Sequence, residues 1–570
     1  MNILDPKAKP GAAGEEDATR GDDVWLPSSC SLCYANCSIM AHRVDGVITK
    51  IEGNPNSVAG LGRLCGKGVS GIMTHYDPNR LTVPLRRTNP EKGIGVDPGW
   101  KEISWDEALD EITVWLKKIR EEDPRKLVVH RTTTVIADHT PQYAFSTGFG
   151  TMNGGSGGGL HCGNGAHLIS GLMHASWSIL PDFQYCNYAI YFGASKGHAA
   201  GHASNSNMKM AADARARGMR MVVVDPFANQ AGAKAAEWVP IRIGTDAALA
   251  LAMANVLINE LELYDAPYLK AKTNAAYLVG DDGRYMRGAE SGKPLVWDQN
   301  GSRAVDFGAI QPDAMALSGE YSHEGAPCRP SFVLLAEHLK SYSPEKGEEI
   351  STVPAANIRR LAKEFATEAR IGSTITIDGV EIPYRPAAAI AFRGSQGHKN
   401  STYNMLAVDM LNQLVGSADM VGGCLGFNPA CHGYPGTGRL RYVPSPDEDG
   451  MMITGDWMSP HRPYPFRTPK HPDRIGLQDL FPMGMASLFQ LSSDNEEIWS
   501  SFDFPYRPEM IFNIGTNMLM SIGNKDDVAD SLKRFKFIVS FDILLTETSE
   551  FADIVLPDCS YLQTMDSRPQ

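Results

Sequence analysis

Cys30-Ser31-Leu32-Cys33-Tyr34-Ala35-Asn36-Cys37, answered after 27 intervening residues by Cys65-Gly66-Lys67-Gly68, sets this chain apart from an ordinary α/β protein. The other cysteines are scattered, at Cys162, Cys186, Cys328, Cys424, Cys431 and Cys559. Three thiolates on one loop and a fourth from a later turn suit a [4Fe–4S] cubane, which takes one cysteine per iron. Zinc is the rival metal. Four-cysteine zinc sites usually pair two C-x2-4-C knuckles, and here the fourth cysteine stands alone, which favours iron. A disulfide framework is disfavoured in a large chain without a secretion signal. Lys67 follows the fourth cysteine. A cation there can shift the cluster potential and reach a neighbouring cofactor, although a solvated surface lysine has the same local sequence.

Outward from this motif, residues 24–90 read as a small iron–sulfur domain. Its strand-like stretch, Ile39–Ile51, is interrupted at Asp45-Gly46 and followed by the turn Gly53-Asn54-Pro55. Residues 1–23 are rich in Gly, Ala, Glu and Asp and read as a disordered leader, with neither an apolar core nor a twin arginine. A helix is expected from Ser104, with Glu107 completing a capping box and Trp105, Leu109, Ile112, Leu116 and Ile119 forming its apolar face. Strand and helix then alternate. Leu127–His130, Tyr188–Phe192 and Met219–Val224 read as strands, and Asn207–Arg217 and Ala247–Asn259 as helices. The pattern returns with strands at Ser373–Ile377, Ala389–Phe392, Met510–Gly515 and Phe537–Phe541 and a helix at Thr402–Leu414. This grammar predicts a multi-domain α/β protein with doubly wound parallel sheets. The expected division places one α/β domain at 151–369 and a second, discontinuous one at 91–150 and 370–570. Within the latter, 425–505 is a loop-rich stretch of Gly, Pro and Met.

At 570 residues the chain needs several cores. A net charge of −13 argues against general nucleic-acid binding and suits either solubility or a basic redox partner. No apolar run reaches the ~18–20 residues of a membrane helix, so direct membrane insertion is not expected and a cytoplasmic location is the default.

Taken together, the cysteine set with Gly66-Lys67-Gly68, Tyr76-Asp-Pro-Asn-Arg-Leu81 and Ile103-Ser-Trp-Asp-Glu-Ala-Leu109 resembles the dimethyl-sulfoxide-reductase family of bis-molybdopterin-guanine-dinucleotide enzymes. The resemblance runs from about Trp25 to Pro557. It implies a [4Fe–4S] cluster on Cys30, Cys33, Cys37 and Cys65, a Mo or W bis-molybdopterin guanine dinucleotide, and Lys67 as the link between cluster and pterin. Gly193-Ala-Ser195-Lys196, Val222-Val-Val-Asp225-Pro226 and Gly244-Thr-Asp246 look like one dinucleotide-binding half. Asp225 ends a predicted strand, where α/β sheets bind ligands. Gly515-Thr-Asn517, Asp542, Thr548 and Ala552-Asp-Ile-Val-Leu-Pro557 look like the other half. In Gly157-Gly-Gly-Leu-His161-Cys162-Gly-Asn164-Gly the resemblance makes Cys162 the metal ligand, a soft thiolate for a high-valent metal. Read alone, Cys162 is a buried cysteine in a glycine-rich turn. His161 beside it suits proton transfer near neutral pH, and Asn164, His167 and His174 are polar candidates for the cavity wall.

The implied function is a molybdenum- or tungsten-dependent oxidoreductase acting on a small-molecule substrate and passing electrons through the cluster to a separate iron–sulfur subunit. Cys33-Tyr34-Ala35 and Arg86-Arg87-Thr88-Asn89-Pro90 look most like a subgroup that contains anaerobic aromatic-compound oxidoreductases such as phenylacetyl-CoA oxidoreductase. Thiosulfate, polysulfide or arsenate reduction and formate oxidation stay open. The rivals are a non-redox hydratase or lyase on the same cofactor and a cluster-only electron carrier. The loop around Cys162 resembles the acetylene hydratase branch, but Tyr34 stands where that branch has an Asp. The family normally continues past the motif ending at Pro557 into a domain that closes over both pterins. The sequence stops at Gln570, so either it is a fragment or another polypeptide supplies that part.

Overall fold

Cys30 and Cys37 face each other across a hairpin. β1 (Asp23–Cys30) and β2 (Cys37–Val44) pair antiparallel in that register, and β3 (Val47–Gly53) completes the sheet. Asp45 and Gly46 both take positive φ, at 49° and 81°, as a tight two-residue hairpin turn requires. The short helices Gly66–Val69 and Gly71–His75 lie against β3, the first starting directly after Cys65. The computed structural model describes residues 21–33, 37–57, 60–131, 145, 148–151, 154–156, 165–174, 176–198, 207–398, 400–429, 507–521 and 524–563.

Two mainly parallel sheets carry the rest. The first runs β11 (Glu237–Val239), β10 (Arg220–Val224), β9 (Tyr188–Phe192), β19 (Ala387–Ala391), all parallel. β9 and β19 are buried along their whole length, which explains their unbroken apolar sequences. Helices Met208–Arg217, Asp246–Asn255, Ala355–Glu368 and Ser401–Leu414 contribute to the same core. β19 is an edge strand, yet its free edge is satisfied from the side. Asn412, fully buried, donates to the Ala389 carbonyl at 2.8 Å and accepts from the Ala389 N–H at 2.8 Å. One side-chain amide thus replaces a missing strand.

The second sheet runs β5 (Lys101–Glu102), β4 (Leu85–Arg86), β23 (Ile554–Pro557), β22 (Phe537–Asp542), β21 (Met510–Ile514), β6 (Leu127–Arg131), β7 (Gly154–Ser156). From β23 to β7 it is parallel; β4 and β5 are antiparallel additions. Elsewhere β12 (Leu278–Gly280), β15 (Tyr321–His323) and β16 (Ala326–Pro330) form one small antiparallel sheet, and β13 (Leu295–Asp298) pairs with β14 (Arg303–Asp306). β8 (Ser176–Pro181) pairs antiparallel with β20 (Cys424–Pro429). Among the described residues no helix is long and apolar enough to cross a membrane.

Sheet membership departs from the sequence-based division in three places. β19 and helix Ser401–Leu414 belong with the first sheet, although 370 onward was assigned to the second domain. β4 leaves the cysteine unit to pair with β23, and β7 joins the second sheet from within 151–369. A buried apolar strand carries no mark of which sheet will take it. β17 (Thr374–Ile377), expected among the sheet strands, instead forms a separate antiparallel hairpin with β18 (Val380–Pro383). Most of the 425–505 stretch lies outside the described residues.

Helix Trp105–Glu122 starts with the predicted capping box: the Glu107 N–H donates to Ser104 Oγ at 3.1 Å, and the Ser104 N–H donates to Glu107 Oε2 at 2.8 Å. Its buried face is rotated from the expected one. Ala108, Ile112 and Ile119 are buried, while Trp105 and Leu109 are exposed. Arg385 forms a buried pair with Asp265 at 2.7 Å just before β19, and also donates to the Ser373 carbonyl at 3.0 Å. Removing one partner strands the other's charge in the interior. Arg385→Ala is expected to cost about 3–5 kcal/mol, measured as a lowered denaturant midpoint; an unchanged midpoint would show that the pair does not hold β19 in place.

Candidate functional site

The N-terminal cysteines gather in one pocket. Cys30 is buried and Cys33, Cys37 and Cys65 are half-buried. Burial, with repulsion from the other three, pushes the Cys30 thiol up to about 11. Four cysteines in one small unit, none of them in a disulfide, suit a metal centre that holds them as thiolates. A zinc ion, with Zn–S about 2.3 Å, would draw its sulfurs to about 3.8 Å from one another. Among the described residues, the group of three or more potential ligand atoms lying mutually within 4.8 Å is elsewhere, at His174, Asp409 and Cys424. Four cysteines match the count a cubane takes, one per iron. Lys67 is exposed on the helix that follows Cys65.

The last described segment closes over this pocket. Tyr561 packs against the small core that holds Cys30, Ile39 and Ile51. Gly71 makes room for it: a Cβ at Gly71 would stand 2.0 Å from the Tyr561 oxygen. His75 Nδ1 meets Ser560 Oγ at 2.7 Å, and Arg80 donates both to the His75 carbonyl at 2.9 Å and to Gln563 Oε1 at 2.8 Å. Tyr561 and Ser560 were missed from sequence; nothing local marks residues so distant in the chain as neighbours of the cluster.

In the first sheet, the chain leaves β9 toward β10, while β19 arrives much later on the other side. The C-terminal ends of β9 and β19 therefore form a topological switch point, where open α/β sheets bind ligands. Gly193 takes φ 50° there, and a Cβ would sit 2.4 Å from the Ser395 nitrogen, so the loops after β9 and β19 can meet only at glycine. Asp225, at the end of β10, is buried. It accepts from Asn229 Nδ2 at 2.7 Å and the Phe227 N–H at 3.3 Å, and burial raises its carboxyl above the usual range. Asp246 is pushed up to about 6, chiefly by burial, with Asp225 adding repulsion and His398 opposing it. Gly244 takes φ 77° beside His398. Predicted Gly193, Asp225, Gly244 and Asp246 thus come together, with Ser195 half-buried on the same loop. Lys196 turns away: its ammonium is buried, donating to Ser178 Oγ at 3.1 Å and lying 3.7 Å from the Phe392 ring centre. Sequence reasoning missed Ser395, Gln396 and His398. The available signal was the small-residue run Gly394-Ser-Gln-Gly397 directly after an apolar strand.

The second sheet repeats the arrangement. Gly515 takes φ 57° and donates to the Phe541 carbonyl at 2.8 Å. Thr548 Oγ1 donates to Asn517 Oδ1 at 2.9 Å and accepts from the Leu519 N–H at 3.0 Å, tying the two loops together. Asn517 also donates to Glu547. Asp542, at the end of β22, is pushed up to about 6 by burial, with Asp558 adding repulsion. Its Oδ1 accepts from the Ile543 N–H at 2.8 Å, but its Oδ2 is buried without a partner. An orphaned carboxylate oxygen costs free energy unless a donor reaches it. A guanine, with adjacent N–H donors, fits that need, so the chain's residues suit the nucleotide half of the cofactor.

Cys162, His161 and Asn164 lie outside the described residues. Their flanks are informative. β7, ending at Ser156, belongs to the second sheet, whereas the Ala166 N–H donates to Gln396 Oε1 at 2.7 Å at the first sheet's switch point. His167 is buried, edge-on to Phe392. His174 takes no part in that edge. Its ring nitrogens meet Asp409 at 2.9 Å and Asp419 at 2.8 Å; burial alone would lower its pKa, but these carboxylates outweigh it and raise it to about 10.

Comparison with known proteins gives the family. The molybdopterin oxidoreductase Fe4S4 domain matches residues 23–77, and the molybdopterin oxidoreductase family matches 80–567. A sulfite dehydrogenase subunit of Allochromatium vinosum is 30% identical, covering 97% of this chain and 60% of its own length. Dimethyl sulfoxide reductase DmsA of Escherichia coli is 25% identical, over 96% and 60%. The structure of acetylene hydratase from Pelobacter acetylenicus superposes with a TM-score of 0.62 at 22% identity, covering 95% of this chain and 64% of that one, a likeness of fold. The chain spans about 60% of the length of these curated relatives. It is an enzyme chain of the molybdopterin oxidoreductase family, built to hold a molybdopterin cofactor and a [4Fe–4S] cluster.

Proposed function

We propose that this chain is the catalytic part of a molybdenum or tungsten enzyme that moves two electrons to or from a small substrate and passes them through its [4Fe–4S] cluster. The observation that carries this is the pair of switch-point edges, each with a glycine turn and a buried carboxylate, with Ser156 on the second sheet and Ala166 bonded to Gln396 at the first as the sequence neighbours of residues 157–164. In this reading Gly193, Ser195, Asp225, Gly244 and Asp246 hold one guanine dinucleotide and Gly515, Asn517, Asp542 and Thr548 the other. Lys196 contributes by shaping its loop, since its ammonium is spent on Ser178 and Phe392. Cys30, Cys33, Cys37 and Cys65 bind the iron cluster, and Lys67 spans from it toward the pterin. Cys162 is the ligand to the heavier metal. When bound, that metal supplies the two-electron chemistry. His161 moves protons to and from the substrate, a role the imidazole side chain suits.

Sulfur oxyanions are the substrate class we favour, on the likeness to the sulfite dehydrogenase chain. Oxidising sulfite consumes water and yields sulfate, protons and an electron pair. Those electrons need an exit, which calls for an iron–sulfur partner protein, and the chain's net charge of −13 suits a partner with a basic face. A cytoplasmic site of action belongs to the same proposal. The test is sulfate formation from sulfite by the holoenzyme, produced with its partner, using an artificial electron acceptor. Turnover of aromatic thioesters but not sulfite would move the enzyme to the aromatic-compound subgroup. Water addition without any acceptor would make it a hydratase, despite Tyr34.

Cys162→Ala is expected to abolish turnover while leaving the cluster's electron paramagnetic resonance signal intact; full activity would refute the ligand assignment. A second expectation concerns Asp542. Its folded pKa, about 6, exceeds the ordinary 3.8, so the folded state binds more protons than the unfolded between those values. Stability therefore falls as pH rises through that window. Asp542→Asn should stabilise the cofactor-free chain by about 2–3 kcal/mol at pH 7, with the gain vanishing near pH 4. The same variant should retain less guanine nucleotide; unchanged retention would remove Asp542 from the site.

A further inference from the structure

A second cluster of ligand-type side chains lies apart from the cysteine pocket and the two sheet edges. His174 ends helix Leu168–His174, Asp409 sits inside helix Ser401–Leu414, and Cys424 begins β20. Their donor atoms all lie within 4.8 Å of one another. The side chains of His174 and Asp409 are 0% and 4% exposed, and Cys424 is 0% exposed. His174 Nε2 faces Asp409 Oδ1, while its Nδ1 is engaged on the opposite side by Asp419 Oδ2 at 2.8 Å. That is the arrangement of a metal-binding histidine, with one ring nitrogen toward the ion and the other oriented by a carboxylate. The supporting layer is complete. Asn412 and Gln413 donate to the two Asp409 oxygens at 3.3 and 3.2 Å, and the Gly426 N–H donates to Asp419 at 2.9 Å. A cavity of about 10 Å³, room for about one water, adjoins His174 and Asp409 and is otherwise lined by such residues as Ile169, Ile179 and Met405.

We infer that His174, Asp409 and Cys424 form a metal site for a divalent cation such as zinc, with Asp419 orienting His174 and the small cavity leaving a fourth position for water. One nitrogen, one oxygen and one sulfur donor are a set that zinc accepts in tetrahedral geometry, and three protein ligands plus water is a familiar count for it. A thiol buried beside two carboxylates gains nothing from them. A divalent cation ionises it and answers both. Zinc entry releases the Cys424 thiol proton and any proton on His174 Nε2, so charge is conserved. The ion would cross-link the helix that follows the Cys162 segment to helix Ser401–Leu414, which packs on β19, and to β20. The rival occupant is a proton alone, giving an imidazolium between two carboxylates.

The test is elemental analysis of the holoenzyme. About one zinc per chain is expected beyond iron and molybdenum or tungsten. Cys424→Ser and His174→Gln should lose the zinc and keep the iron. Wild-type enzyme without zinc, even after incubation with zinc salt, overturns the proposal and leaves the imidazolium. If the variants do not fold, zinc-edge X-ray absorption of the wild type decides. One sulfur at about 2.3 Å with nitrogen and oxygen at about 2.0–2.1 Å is expected. A four-sulfur shell, which would put zinc on the N-terminal cysteines, or a shell without sulfur, overturns it.

Discussion

Buried carboxylates at the edges of the two parallel sheets, with Asp542 ending β22 and Asp246 opening the helix beside Asp225, are the constraint around which this part of the chain is arranged. Asp246 and Asp542 are each pushed up to about 6 by burial, and Asp542 keeps one oxygen without a partner. A cofactor-free chain would be more stable without them. Such groups persist where a ligand's donors complete them, and α/β sheets expose them at the switch points where neighbouring strands run off in opposite directions. Two sheets built this way, with glycine turns at Gly193 and Gly515 that let backbone approach closely, make the matched pair of edges that we propose hold the two nucleotides.

The cluster unit obeys a different rule. A sheet of three short strands has too small a core to stand on Cys30, Ile39 and Ile51 alone. Tyr561 and Leu562 pack against that core from the far end of the described chain, and Arg80 hydrogen-bonds to the Asp558 carbonyl and Gln563. The metal pocket is therefore closed by residues that return from the second sheet, which couples the cluster to the strand, β23, immediately before them.

Much of the site was legible as local chemistry. The spacing of four cysteines and Ser104 with Glu107 carry their meaning within a few residues, Asp225 and Asp542 stand at the ends of the strands expected of them, and the strand–helix alternation gave the α/β class. Sheet membership was not legible. β19, β4 and β7 are apolar or short stretches whose partners are chosen by packing across hundreds of residues, so the expected boundary at 370 missed the return of β19 to the first sheet. The exposed Trp105 and Leu109 make the same point on one helix: periodicity names a face, and the neighbours decide which part of it is covered.

The amino-acid sequence by itself determined the metal chemistry and the fold class, because both rest on residue type and short-range spacing. Only the tertiary structure decided that Lys196 points inward to Ser178 and Phe392 and that His174 is gripped by two aspartates instead of lining the cofactor cleft. It alone brought Ser395, Gln396 and His398 to the switch point of the first sheet and Tyr561 to the core beside Cys30. These are contacts between segments far apart in the chain, and the direction of a side chain there is fixed by burial and hydrogen-bond satisfaction in the assembled core, which no local pattern encodes.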